Sequence, residues 1–579
     1  MEEKSDLSPL DGKPYRKDEG KKLVLVKMAL LAAILFLVHT FFCQTLNSHN
    51  YSGEVELFKC QEFESVFGAS AENISNIIFN EKLQNETMTK LANAVRVPTE
   101  IYDTFPNPQD EAEYAGWQPF IKLHKQLAKD FPLVWSKCKI EHVNHYALLI
   151  TWEGSNNDLK PALFAAHQDV VPVDRKTWGS WKHEPFGGEW DGQFLWGRGS
   201  FDDKNMLIGI LQAFEYIIQN EPDFNPERSL LLASGFDEEA SGVYGARYLS
   251  DVLVERYGHD GIYSIIDEGV VGIKEVEGVL IAAPGTGEKG FINLVFDIRT
   301  PGGHSSVPPD HTSIGVAASI IHDIEGEKFP AQFTPENPVT QYYQCIAQYS
   351  ETMENDVKID FLKAMDDEKA NKRVLDYLFE HGGKKTEYLF RSTQAFDIIN
   401  GGIKANALPE SVSFLLNSRV SIESNVNKTL EKFSESSCNV AKEYGLGCIL
   451  DGEVILESTN KGTVYMDVQR TLEPAPVSPN NEVWREFAGS IKGFYESVVF
   501  PKKFGDEQKS LVVAPSIMTA NTDTCHYWRS SKNIYRYQPG FAMDDTLSTI
   551  HSVNEHVDAE TVMHVVGFIY NYIHLVNKL

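Results

Sequence analysis

Histidines and carboxylates gather at four places in the first half of the chain. The run PALFAAHQD (161–169) ends in His167-x-Asp169, and FLWGRGSFDDK (194–204) carries Asp202-Asp203. LLLASGFDEE (230–239) ends in Asp237-Glu238-Glu239, and IYSIIDEG (262–269) in Asp267-Glu268-Gly269. Each piece alone has a plain structural reading: a core histidine, a helix N-cap, a solvated acidic loop. Adjacent carboxylates repel, however, and several such groups at one sheet edge are costly without cations. Imidazole and oxygen donors suit Zn²⁺, Mn²⁺ or Co²⁺, and the absence of thiolate clusters argues against a structural zinc knot. Taken together, the four ends read as a metal site rather than as coincidence.

The elements that must position these groups are legible around them. The first, third and fourth clusters close buried-type strand runs, and Asp202-Asp203 opens a helix in which Met206, Leu207, Ile210, Leu211, Phe214, Ile217 and Ile218 keep helical spacing. Strand-type and helical runs alternate, which predicts an α/β fold with a mostly parallel central sheet and helices on both faces. Open sheets of that kind place ligands at the carboxyl ends of their strands. After Glu288-Lys289-Gly290 an alternating strand (FINLVFDI) begins, and Pro474-Ala475-Pro476 marks a return. Residues 330–390 between them are charged and helical in pattern.

The chain has 579 residues, with 53 Lys+Arg against 82 Asp+Glu and a net charge of −29. That balance argues against nucleic acid as a partner. Seven cysteines are too few for a disulfide scaffold, and the odd number leaves at least one unpaired within the chain. Residues 1–22 are polar; Leu23 to Cys43 is an apolar run long enough to span a bilayer, with lysines and an arginine upstream. The asymmetry predicts a cytosolic tail, an uncleaved signal-anchor and a body on the far side of the membrane. Sequons start at Asn50, Asn73, Asn85 and Asn427.

Seven motifs in order, HQDVVPV, GRGSFDDKN, DEEASG, IIDEG, PGGHSSVP, NGGIKANALP and TIHSVNEH, resemble those of the dinuclear zinc carboxypeptidases and aminoacylases. Within that family the chain is most similar to the fungal vacuolar carboxypeptidase S (Gly-X carboxypeptidase) group, from about residue 90 onward and in its anchored tail. The resemblance implies two Zn²⁺ per subunit: His167 and Asp267 on one, Glu239 and His551 on the other, with Asp202 bridging. Asp169 would fix an imidazole and Glu238 would be the general base. His304 would stabilise the oxyanion, and Asn406 and Arg419 would contact substrate, Arg419 as partner of its terminal carboxylate. Asn521-Thr522-Asp523-Thr524 would lie near the substrate.

The same resemblance implies an inserted α/β lid. The expected organisation is a cytosolic tail (1–22), the signal-anchor (23–43), a lumenal stem (44–90) and a catalytic domain in two segments (91–285 and 475–579) interrupted by the lid (286–474). In many relatives the lid dimerises and the oxyanion histidine comes from the other subunit; a homodimer through the lid is one expectation, and closure of the site within one chain by this longer lid is the other. The function this implies is removal of a C-terminal residue from small peptides, preferably after Gly, in the vacuolar lumen. Hydrolysis or synthesis of N-acyl amino acids at the same site is the alternative, and a non-catalytic lumenal binding or sorting protein a more distant one.

Overall fold

Asn144 and His145 take left-handed backbone angles, with φ of 42° and 69°, and so turn the chain back tightly between strands Lys139–Val143 and Ala147–Trp152. This hairpin forms one edge of the larger sheet in the computed structural model, which describes residues 57–111, 113–541 and 543–578. From that edge the order runs through Leu230–Ser234, Ala162–Ala165, Ile265–Val276, Ile534–Phe541 and Gly285–Glu288 to Ser516–Met518. The four central strands, from Leu230–Ser234 to Ile534–Phe541, are parallel. Around them the hairpin, Val279–Ala282 and Gly285–Glu288 pair antiparallel. The expected mostly parallel sheet is therefore a mixed sheet with a parallel centre. Short connections at its rim fold as hairpins, which only antiparallel neighbours permit.

Alternation along the central strands splits the core in two. Leu148, Ile150, Phe164, Leu230, Leu232 and Ile266 face helices Lys204–Asn220 and Ala559–Val576. Ala147, Leu149, Leu163, Ala165, Leu231 and Ile265 face helix Ala246–Tyr257 and the aromatic residues Trp117 and Phe120. Side chains of period two on a strand must divide this way, so the sheet is covered on both faces.

A second sheet has the order Ala395–Gly401, Ser411–Val420, Gly290–Arg299, Thr463–Leu472, Gly447–Leu450, Glu453–Leu456. Ile292, Leu294, Phe296 and Ile298 pack under helices Ser313–Gly326 and Val426–Glu443. The residues between them, Phe291 and Asn293, face the other way into a cleft shared with the first sheet. A disulfide joins Cys438 to Cys448 within this layer.

Two segments lie elsewhere than the sequence implies. Helices Pro338–Tyr349, Asn355–Lys363 and Glu368–Glu387 fall inside the range expected for the lid. Their Val339, Ile346, Phe361 and Val374 share a core with Val279, Ile281 and Ile517 of the first sheet. The described portion of the expected stem, 57–90, is likewise core material: Ile74, Ile77, Leu83 and Met88 are buried in the main cluster. Cys60 is bonded to Cys345, and Phe58 N–H donates to Leu362 O (2.8 Å), which fastens this segment to the inserted helices. Amphipathic helices bury where apolar surface is offered, and here the first sheet offers it. Among the described residues no helix is long and apolar enough to cross a membrane; the apolar run 23–43 and the sequon at Asn50 lie outside them.

Candidate metal centre

The parallel strands deliver their ends to one place. His167 follows strand Ala162–Ala165, Glu238 and Glu239 form the short helical turn after Leu230–Ser234, and Glu268 lies within Ile265–Val276. Asp202 immediately precedes helix Lys204–Asn220, and His551 comes from a loop before the last helix. The Asp202 carboxylate stands between two imidazoles, Oδ1 at 3.0 Å from His167 Nε2 and Oδ2 at 3.1 Å from His551 Nε2. His551 Nε2 is also 3.0 Å from Glu239 Oε1, and His167 Nε2 is 3.6 Å from Glu268 Oε1. Ligand-type atoms of His167, Asp202 and Glu239 lie within 4.8 Å of one another, as do those of His167, Glu238 and Glu268.

Asp267 does not belong to this constellation. Neighbouring residues of a strand point to opposite sides, so only one of Asp267 and Glu268 can face the centre, and it is Glu268. Asp267 instead accepts the Glu268 N–H through Oδ1 (2.9 Å) and lies in register with Arg536 of the adjacent strand. Burial pushes its carboxyl up to about 6. The residue pair was legible in the sequence, but the parity was not.

Three buried acids hold the ligands in place. Asp169 accepts the N–H groups of Glu238 (3.1 Å) and Glu239 (3.0 Å), and its Oδ1 lies 3.4 Å from His167 Nδ1. It therefore fixes both the imidazole and the glutamate turn. Glu555 receives the N–H groups of Gly199 (2.9 Å), Phe201 (3.1 Å) and Asp202 (3.3 Å) and pairs with Arg198 (2.6 Å). Asp237 takes the N–H groups of Tyr244 and Gly245, both at 2.7 Å. Glu555 had no assigned role in the sequence. Its position in TIHSVNEH, four residues after His551, was the available signal.

The electrostatics show what the centre lacks from protein alone. Burial, reinforced by Glu239, Asp523 and Asp169, drives the Glu238 carboxyl well above its usual range. Burial and Asp202 raise Glu239; burial, Asp202, Asp203 and Glu238 raise Glu268. Hydrogen bonds donated by its ring to the Asp202 and Glu239 carboxylates raise His551 to about 10. Burial of His167 works the other way, but Glu268 and Asp169 overcome it and hold its pKa well above the usual value. Four crowded carboxylates balanced only by two imidazoles form a donor set that fits divalent cations with nitrogen and oxygen preference. His167, Asp202, Glu239, Glu268 and His551 would hold them. Glu238 stands at the same cluster as the carboxylate beside them.

This centre lines a cleft of about 1150 Å³ between the two sheets. Arg419 reaches into it from strand Ser411–Val420 and donates to Asn521 Oδ1, while Asn521 Nδ2 donates to Lys289 O (2.6 Å). Asn521 and Thr522 line the cleft as expected, whereas Asp523 lies behind it against Gly235 and Gly242. His304 and Asn406 are not brought there. His304 sits on the two-residue strand Gly303–His304 paired with Ala407–Leu408, is exposed, and contacts Ser306 Oγ through Nδ1 (2.7 Å). Ser305 N–H donates to Asn406 O (3.3 Å), so the two residues form one exposed unit away from the cleft lining.

The family model described as Peptidase family M20/M25/M40 matches residues 163–575, a span that includes all five candidate ligands and Glu238. The chain belongs to this peptidase family. It is 39% identical to carboxypeptidase S of Saccharomyces cerevisiae over 98% of this chain and 99% of that one. It is also 28% identical to an N-fatty-acyl-amino acid synthase/hydrolase of Xenopus tropicalis, over 86% of each chain. In fold, it is similar to human carnosine dipeptidase 1 (TM-score 0.56, 13% identity, covering 88% and 99%) and to a metallo-carboxypeptidase of Sulfolobus solfataricus (TM-score 0.54, 16% identity, covering 85% and 99%). The matched span also holds Arg419 and Asn521 of the cleft lining.

Proposed function

We propose that the chain is a metallocarboxypeptidase that removes the C-terminal residue from small peptides, preferably after Gly, with two Zn²⁺ held by His167, Asp202, Glu239, Glu268 and His551. The observation that carries it is the Asp202 carboxylate set between His167 and His551, with Glu238 free beside them. Two such cations, held by these residues, would lower the pKa of the attacking water and polarise the scissile carbonyl. Glu238 takes the water's proton and delivers it to the leaving amine, a role worth roughly 10²–10⁴-fold. Cation charge next to Glu238 favours its ionised form, reversing the effect of burial. Asp169, by accepting the Glu238 and Glu239 N–H groups, keeps the base and the neighbouring ligand at fixed separation. Arg419, braced by Asn521, takes the substrate's terminal carboxylate.

In this reading the second sheet and its two helices form the lid, and the oxyanion donor His304 comes from the lid of a second copy. Its exposure supports this, as do the exposed apolar residues beside it: Val307 is 81% exposed, Ile399 61% and Ile403 fully so. The exposed Asn73, Asn85 and Asn427 carry glycans, and the body lies in the vacuolar lumen behind the anchor 23–43. The likeness to the N-fatty-acyl-amino acid synthase/hydrolase favours one alternative, N-acyl amino acids as substrates. Metal content of the full-length protein, with leucine release from N-blocked Gly-Leu set against N-fatty-acyl leucine, tests both. Zinc near two per chain with faster peptide cleavage is expected; a preference for the fatty-acyl substrate overturns the peptide reading.

A further inference from the structure

Lys289 stands between strands Gly285–Glu288 and Gly290–Arg299, where the first sheet hands the chain over to the second, and only 1% of its surface is exposed. A buried ammonium must find acceptors. Lys289 Nζ donates to Tyr388 O (2.7 Å) and Arg391 O (2.6 Å), carbonyls of the turn that follows helix Glu368–Glu387. Burial brings its pKa down to about 7, with Glu423 opposing that shift and Arg419 adding to it. The lysine thus ties the crossing between the sheets to the exit of the inserted helices.

The backbone of the same residue serves the cleft. Lys289 N–H donates to Met518 O (3.0 Å) and Lys289 O accepts Asn521 Nδ2 (2.6 Å), so both ends of segment 518–521 are bonded to it. Asn521 Oδ1 accepts in turn from Arg419. An amide that donates on one side and accepts on the other has its orientation fixed, so Asn521 passes the position of Lys289 to the guanidinium.

The exit of the inserted helices also holds Arg419 by its backbone. Thr393 N–H donates to Arg419 O (3.0 Å), and Thr393 Oγ1 accepts the Arg419 N–H (2.7 Å). Ser392 Oγ accepts Ser421 N–H (2.9 Å), and Ser418 Oγ donates to Thr393 O (2.6 Å). Residues 388–393 therefore meet the strand that carries Arg419 and the Lys289 ammonium at once, while the helices before them are seated on the first sheet.

We infer that Lys289 is a positioning residue for substrate recognition. By binding the turn 388–391 it fixes Asn521, and through Asn521 the Arg419 guanidinium that takes the substrate's terminal carboxylate. The inference rests on that role of Arg419. A peptide and an N-acyl amino acid both carry this carboxylate on the leaving amino acid, so the inference holds for either substrate. Lys289 does not line the cleft and touches no substrate itself. The inserted helices thereby gain a task beyond covering the sheet: their exit turn is the abutment against which the carboxylate receptor is set.

The test measures hydrolysis of N-blocked Gly-Leu by the zinc-loaded full-length protein in wild type, Arg419→Ala, Lys289→Met and the double variant. Arg419→Ala should raise KM by about 10²-fold, and Lys289→Met by about tenfold with kcat and zinc content kept, the signature of lost binding rather than lost chemistry. The double variant should bind no worse than Arg419→Ala alone, because Lys289 acts only through the guanidinium. An unchanged KM in Lys289→Met, a fall in zinc content or kcat with it, or additive losses in the double variant overturns the proposal. Should Lys289→Met not fold, Asn521→Ala reads the same relay from the cleft side; it should raise KM without adding to Arg419→Ala, and an unchanged KM overturns the proposal. Equilibrium binding of leucine makes the comparison without turnover. If the peptide is not cleaved but leucine binding weakens in both Arg419→Ala and Lys289→Met, the peptidase reading fails and the positioning role stands. If Arg419→Ala changes neither KM nor leucine binding, the role of Arg419 fails and takes the proposal with it; a loss in Arg419→Ala that Lys289→Met does not share sinks the proposal alone.

Discussion

The ligand cluster and the His304 unit are both assembled from distant sequence, yet one is buried at the floor of a cleft and the other stands exposed. Around the cluster, buried acids take the backbone N–H groups of Asp202, Glu238 and Glu239, and the parallel strands fix its geometry. The pair Gly303–His304 and Ala407–Leu408 is a two-residue ladder in solvent, with nothing in the cleft to meet. Preorganisation by a rigid sheet suits groups that must hold cations at set distances. In the dimer proposed above, His304 on this short exposed ladder takes its position from the second copy's surface.

That contrast can be broken most directly at its strongest point. Glu238→Gln should retain bound metal and lose turnover by about 10²–10⁴-fold; activity near wild type would remove Glu238 as the base. His304→Ala should lower kcat by about 10²–10³-fold, the usual loss for one oxyanion donor. Mixing the Glu238→Gln and His304→Ala chains sharpens the comparison. If His304 acts in a partner's site, mixed dimers regain activity that neither variant shows, whereas action within one chain gives no recovery.

Within the cluster, Glu268→Ala should weaken metal binding more than Asp267→Ala does. Loss of a residue that only supports a ligand costs about 10–100-fold in affinity. Equal zinc loss in the two variants, or a larger loss at Asp267, would return Asp267 to the ligand position. The smallest effect is expected away from the cleft. Replacing Cys60 and Cys345 together by Ser should lower unfolding stability by about 2–5 kcal/mol in denaturant titration, with zinc content unchanged. Parallel loss of zinc would mean that the inserted helices support the metal centre as well.

What the sequence determined by itself was the inventory. Buried strand runs ending in His167, Glu238-Glu239 and Asp267-Glu268 announce an α/β sheet edge rich in ligands, because hydrophobic period and acid clustering are local properties. The ordering of seven motifs likewise pointed to the family to which the chain belongs. Tertiary structure decided everything that depends on side and neighbour. Parity along one strand chose Glu268 over Asp267, since a shift of one residue turns a side chain to the other face. Free sheet-edge surface drew the helices of 338–387 and the segment 57–90 into the main body, because apolar faces bury against whatever lies in reach, not against what is adjacent in sequence. Only the packed arrangement could show that Tyr102 and Phe105, in a stretch with no catalytic motif, line the same cleft as the ligand cluster.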